Sequence, residues 1–228
     1  TSYASDAISH CSSASLNFLA SCPRAIAALC AAQDLWLHGD AAYAGVAAMT
    51  PEHAHLLDGA ATADSLVVNP HKWLFTPFDA SVLYCRHMDV LRSAFSLVPE
   101  YLRTTEPSEV RNLMDTGIQL GRRFRALKLW MVMRHFGADG LRERLSEHMR
   151  LARLFASWVD ASSEFERLAP VPFSVVCFRA IPPGVSDEQE IDAFNERLMS
   201  AVNAGGEVFM SHTRLDNRFV VRLAIGNL

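Results

Sequence analysis

Two side chains in this sequence have the type and setting for carbonyl chemistry. Lys72 lies in Asn69-Pro70-His71-Lys72-Trp73, and Asp40 lies in His38-Gly39-Asp40-Ala41-Ala42. A lysine amine can shed its proton and attack a carbonyl carbon; an arginine at ordinary pH cannot. Lys72 and Lys128 are the only lysines of the chain, although Lys and Arg together number 21. Such scarcity reflects either codon usage or a position where only an amine serves. Both candidates also follow short apolar runs. Ser65-Leu66-Val67-Val68 precedes the lysine segment, and Leu35-Trp36-Leu37-His38 precedes Asp40. In α/β folds, reactive groups sit where such strands end.

The elements that must position these residues are legible in outline. Pro23 to Gln33 reads as a helix with Pro23 in its first turn. A strand follows over residues 35–38, then a loop of small residues, Gly39 to Gly45. Thr50-Pro51 reads as the N-cap and first position of a helix that stops near Gly59. After Lys72, Ala80 to Cys85 reads as a further strand. Residues 99–121 have little periodicity, and a connection this long is usually functional. Arg122 onward opens a helix broken between Gly137 and Gly140, with a second helix over residues 141–158. The rest reads as a small α/β unit: a strand over 172–178 and a capping box at Ser186-Asp187-Glu188-Gln189 that starts a helix. A strand at 208–210 and a last strand over 217–225 complete it. Leu127, Trp130, Met131 and Val132 read as a buried face, and the Trp130, Met131, Met133 cluster as core.

Composition bounds the function. Half of the 228 residues are hydrophobic and the net charge is -4, which suits one large or two small globular domains. No basic block suggests nucleic acid as a partner. No apolar run approaches the roughly 20 residues of a membrane span. The first residues carry no signal-peptide pattern, and five cysteines without a CxxC pair read as thiols in a reducing compartment. A cytoplasmic protein is therefore expected. His53 and His55 are two apart and do not share a helix face, so no metal site is expected. Arg122, Arg123 and Arg125 read as a salt-bridged face beside Glu109 and Asp115. Ser12, Ser13 and Ser15 lack the setting of a serine nucleophile.

A carboxylate and an amine on neighbouring strand ends admit two readings. One is a buried ion pair. The other is a pyridoxal phosphate site, in which the lysine forms a Schiff base and the carboxylate keeps the pyridine nitrogen protonated. The longer motifs favour the second. His38-Gly39-Asp40-Ala41-Ala42-Tyr43-Ala44-Gly45, Asn69 to Trp73, and Leu120-Gly121-Arg122-Arg123-Phe124-Arg125-Ala126-Leu127-Lys128-Leu129-Trp130 resemble, in that order, three blocks of the group II pyridoxal phosphate-dependent amino-acid decarboxylases. That is the family of aromatic-L-amino-acid decarboxylase, and the resemblance covers residues 23–228.

The resemblance implies an α/β type I PLP-dependent transferase fold (aspartate aminotransferase-like), with a partial large domain over 1–127 and a small C-terminal domain over 128–228. It implies Lys72 as the Schiff-base lysine, Asp40 as the pyridinium partner and Ala42 beneath the ring. Asn69 would lie near the phosphate and His71 by the cofactor, with Ser65 assisting. Tyr101 matches the tyrosine of a catalytic loop and would return a proton to the substrate carbon. Phe is usual there in aldehyde-forming relatives, so Tyr101 points to simple decarboxylation of an aromatic amino acid to its amine. His10 resembles a histidine that stacks on the cofactor ring. A homodimer is implied for the intact protein.

The sequence also departs from that family. Members are much longer. The N-terminal segment that wraps the partner subunit, and the segment that supplies most phosphate contacts, have no counterpart. His10 stands one residue late against the family pattern, with Cys11 between it and the serines. Gly39 replaces the usual valine. A fragment or deletion-bearing chain with weakened cofactor binding is thus expected. Two further readings remain open: a non-catalytic relative, and a decarboxylase of glutamate or another acidic amino acid.

Overall fold

A computed structural model of the chain describes residues 23–95 and 112–226. It divides into two units, Thr1–His135 and Phe136–Leu228.

The first unit is built on a three-stranded sheet of order β1-β2-β3, comprising β1 (His38–Asp40), β2 (Ser65–Val68) and β3 (Val82–Cys85). β1 and β2 are parallel, with His38 opposite Ser65 and Asp40 opposite Val67. β2 and β3 are antiparallel. Helix α1 (Pro23–Ala32) precedes the sheet. β1 starts at His38, so the exposed Leu35 and Trp36 belong to its approach.

Parallel strands need a crossover, usually an α-helix. Here the crossover is three 3-10 segments, Ala44–Met49, Pro51–Leu57 and Ala60–Thr62, where the sequence suggested a helix from Pro51. Thr50 adopts the extended N-cap backbone, but its hydroxyl donates back to Ala47 O at 2.8 Å and caps nothing ahead of it. Gly59, between the second and third segments, lies in the left-handed region (φ 88°) that glycine adopts without cost. Small residues let this connection lie close on the sheet. Ala41, Ala42, Ala44, Val46 and Ala47 are buried, and a Cβ on Gly45 would come within 2.7 Å of Ala41 Cβ.

A single helical turn, α2 (Pro70–Trp73), follows β2, with Pro70 at its first position. Helix α3 (Met88–Phe95) follows β3.

α4 runs from Arg125 to Ala161 and is interrupted at Gly137 (φ 67°, ψ 176°), within the span where glycines suggested a break. Leu127, Trp130, Met131 and Met133, expected in a core, are exposed, Trp130 to 58%. Their apolar spacing is real, but in the described chain nothing covers it.

The second unit is a four-stranded antiparallel sheet of order β4-β5-β7-β6, packed with the α4 segment that carries Ala152, Ala156 and Val159 and with α5 (Glu188–Ala204). β4 (Phe165–Arg167) was not evident in the sequence; at three residues it is too short to show alternation. β5 spans Val175–Ala180 and β7 spans Arg218–Ala224. β6 spans Ser211–Leu215, three residues later than the expected strand at 208–210. The β6–β7 turn places Asp216 and Asn217 both at positive φ, as a two-residue hairpin of matching twist requires. Ala152, Ala156, Val159, Val176, Phe178, Met210, Phe219 and Val221 form its core. Asn195 is fully buried and pairs with both backbone groups of Ala180, at 2.7 and 2.9 Å. α5 is capped by Asp187, which accepts from Glu190 N at 3.0 Å, rather than by the Ser186 of the expected box. Among the described residues no helix is long and apolar enough to cross a membrane.

Candidate active site

The parallel ladder continues past both strands. Ala41 N donates to Val67 O at 3.0 Å and Asn69 N donates to Ala42 O at 3.1 Å. The segments carrying Asp40 and Ala42, and Asn69 and Lys72, are therefore locked side by side at the same end of the sheet. Lys72 stands in the α2 turn, its N–H donating to Asn69 O at 2.9 Å. Buried Trp73 anchors that turn by stacking on Tyr43, 5.0 Å between centroids at 13°.

The ion-pair reading does not hold. Asp40 and Lys72 are both solvent-exposed, and no ion pair joins them. Asp40 Oδ1 accepts the Ala42 N–H at 3.0 Å, which fixes the carboxylate through a two-residue turn. Its second oxygen carries no bond among the described residues, and neither does the Lys72 amine.

Residues 78–81 hold the other side chains. The Ala80 backbone faces His71 Nδ1 with its oxygen at 2.7 Å and its nitrogen at 3.1 Å. The ring donates to the first or accepts from the second, according to its tautomer. Phe78 meets the His71 ring edge-on at 4.9 Å. Ser81 Oγ donates to Asn69 Oδ1 at 2.6 Å, which leaves the Asn69 Nδ2 hydrogens as donors.

Ser65 is not with this group. It opens β2, three residues before the site end, about 10 Å away along a strand. It is buried, and its hydroxyl is engaged by Trp36 Nε1 at 2.9 Å and His38 Nδ1 at 2.7 Å. His10 and Tyr101 lie outside the described residues.

Sequence reasoning missed Asp79. Its Oδ2 lies 3.0 Å from Arg125 Nε, whereas the sequence points to Glu109 and Asp115 as the acids beside the arginine cluster. A lone acid in the apolar stretch Trp73 to Ala80 was the available signal. The Arg125 hydrogen bond holds the Asp79 carboxyl below the usual range, and the charges of Arg125 and Lys128 add to it.

These residues fit pyridoxal phosphate in type and placement. An amine unpaired among the described residues, a carboxylate whose second oxygen is likewise unbonded among them, a small buried alanine and an amide with donors share one sheet end. For the phosphate, the Asn69 amide is the matching donor found there among the described residues.

Residues 17–181 match the pyridoxal-dependent decarboxylase conserved domain. The chain is 43% identical over 195 residues to tryptophan decarboxylase 2 of Oryza sativa subsp. japonica, covering 85% of this chain and 39% of the relative. It is 44% identical over 195 residues to phenylacetaldehyde synthase of Arabidopsis thaliana, covering 84% and 39%. The crystal structure of Oryza sativa TDC with PLP and tryptamine superposes with a TM-score of 0.79 at 39% identity, over 88% of this chain and 42% of that one. The chain thus spans about two-fifths of the length of these relatives.

Proposed function

The chain belongs to the pyridoxal-dependent decarboxylase family, with the type I fold of those enzymes, and on that footing we propose that its protein decarboxylates an aromatic L-amino acid to the corresponding amine and CO2. The observation that carries this reading is the pairing of two strand ends, Asp40-Ala41-Ala42 beside Asn69 to Lys72. The aromatic substrate class is supported by the relatives, which include tryptophan and tyrosine decarboxylases at 40 to 43% identity.

Pyridoxal phosphate, when bound, supplies a sink for the electron pair left as CO2 departs. The chain's own residues hold and tune it. Lys72 would carry the carbonyl carbon of the group. The spare oxygen of Asp40 would hold a proton on the ring nitrogen, with its carboxylate already oriented by Ala42 N–H. Ala42 would admit the ring where a larger side chain would fill the space. Asn69 Nδ2, aimed by Ser81, would donate to the phosphate. Tyr101 is assigned as the proton donor to the substrate carbon and His10 as a ring-stacking partner, both on the family resemblance. The same resemblance supports a large domain over 1–127, a small domain over 128–228, and a homodimer. The exposed Leu127, Trp130, Met131 and Met133 give a partner an apolar surface to cover.

Borohydride reduction with pyridoxal phosphate, followed by peptide mapping, tests the reading. The label is expected on Lys72, and CO2 release is expected from tryptophan, tyrosine or phenylalanine but not glutamate. Lys72→Ala that binds and decarboxylates like the parent refutes it.

A further inference from the structure

The loop after Lys72 braces the site. Four consecutive residues each make a distinct contact. Phe78 packs on the His71 ring. Ala80 engages the His71 ring nitrogen, and its oxygen also accepts the His71 backbone N–H at 3.3 Å. Ser81 fixes the Asn69 amide. Asp79, the remaining member, accepts from Arg125 Nε at 3.0 Å, 46 positions along the chain. Both side chains of that pair are partly shielded from solvent, at 34% and 26% exposure. Lys128, one turn further along α4, is close enough to add to the attraction on Asp79.

The loop reaches β2's exit through Asn69 and His71, and α4 through Asp79. We propose that Arg125 is a positioning residue: by holding Asp79 it sets the 78–81 loop, and through that loop the orientation of the His71 ring and the Asn69 amide beside Lys72. The proposal rests on the reading of Lys72 as the cofactor-bearing amine for its functional meaning, but its structural content is independent of that reading. It also gives the third sequence block, Leu120 to Trp130, a job beyond forming a helix. Arg122 has a different partner: its Nη2 donates to Thr116 Oγ1 at 3.3 Å.

Two readouts on the whole chain test this. The first is amide hydrogen exchange without cofactor, in the parent, Arg125→Gln, Asp79→Asn and the exchanged pair Arg125→Asp with Asp79→Arg. Each single change is expected to speed exchange across residues 69–81 roughly tenfold, with β5 and β7 of the second unit unchanged. The exchanged pair is expected to recover most of the loss, which a nonspecific packing defect would not allow. The second readout is borohydride trapping of pyridoxal phosphate at Lys72, with Lys128 as the internal comparison. Trapping at Lys72 is expected to need roughly tenfold more cofactor in the single variants and near-parent amounts in the exchanged pair. Parent-like exchange over 69–81 in Arg125→Gln, or an exchanged pair no better than either single change, overturns the proposal. A parent that never traps cofactor at Lys72, yet shows the exchange coupling, instead overturns the cofactor reading and leaves the brace standing.

Discussion

Replacing Trp73 separates anchoring from chemistry. Its side chain is completely buried, sits next to Lys72 in sequence, and stacks on Tyr43 from the loop that follows Asp40. One aromatic pair therefore ties the two strand ends together. Removing a buried tryptophan down to alanine costs about 3–5 kcal/mol. Of that, about 0.5–1.5 kcal/mol is the stacked geometry itself. Trp73→Phe keeps a stacking partner and most of the apolar area, so its cost is about 1–2 kcal/mol. A domain is stable by only about 5–15 kcal/mol, so the alanine variant gives up a large part of what the first unit has. The two units need not unfold together. The assay is therefore native-state hydrogen exchange read separately at Val67 and Val68 in β2 and at Val176 and Val221 in the second sheet. Protection of β2 is expected to fall by about 3–5 kcal/mol in Trp73→Ala, with the second sheet changed by less than about 0.5 kcal/mol. A loss below about 1 kcal/mol in β2 refutes the anchoring argument. So does an equal loss in both units.

Two further outcomes concern the second unit. Asp187→Ala is expected to cost about 1 kcal/mol in chemical denaturation, because the side chain caps α5, while Ser186→Ala stays within about 0.5 kcal/mol; the reverse order would restore Ser186 as the cap. His148 is buried, and burial, helped by Arg144 and opposed by Glu147, pushes its pKa down. The unfolded chain then binds the proton more readily. The histidine's stabilising contribution is full above about pH 6.5 and is lost as pH falls from there through the lowered folded value. Denaturation of the parent and His148→Gln between pH 5 and pH 8 should show a slope that the variant flattens; parallel profiles would exclude His148 as its source.

The site was more legible than the surfaces around it. Lys72 and Asp40 stand out because amine, carboxylate and strand end are chemical signals carried by single residues, and β1 and β2 pair in parallel, so the segments leaving them lie side by side. Ser65 shows a geometric limit of reading a site from sequence proximity. Residues close in sequence to a strand's exit can still lie at its entrance, and Ser65 is taken up there by Trp36 and His38. The role of Asp79 depends on a partner 46 residues away, which no local pattern contains. Trp130 and Met133 were read as core because helical spacing reports an apolar face without saying what lies against it. Ser186 lost to Asp187 by a single position, a shift that capping patterns of adjacent polar residues do not resolve.

The two sheets also differ in how their chain must find itself during folding. β6 and β7 are joined by the Asp216-Asn217 turn, with Leu215 opposite Arg218, and a hairpin of this kind closes in about 1–10 μs. The parallel pair has no such shortcut. His38 meets Ser65 only after the whole 3-10 crossover has been gathered between them, and non-local pairing is slow because loop entropy is lost before contacts repay it. Asp40 and Lys72 come into register only when that pairing closes. A full-length chain refolding from the denatured state would thus complete its hairpin before the segments carrying Asp40 and Lys72 stood side by side, so the first appearance of β-structure would precede assembly of that sheet end.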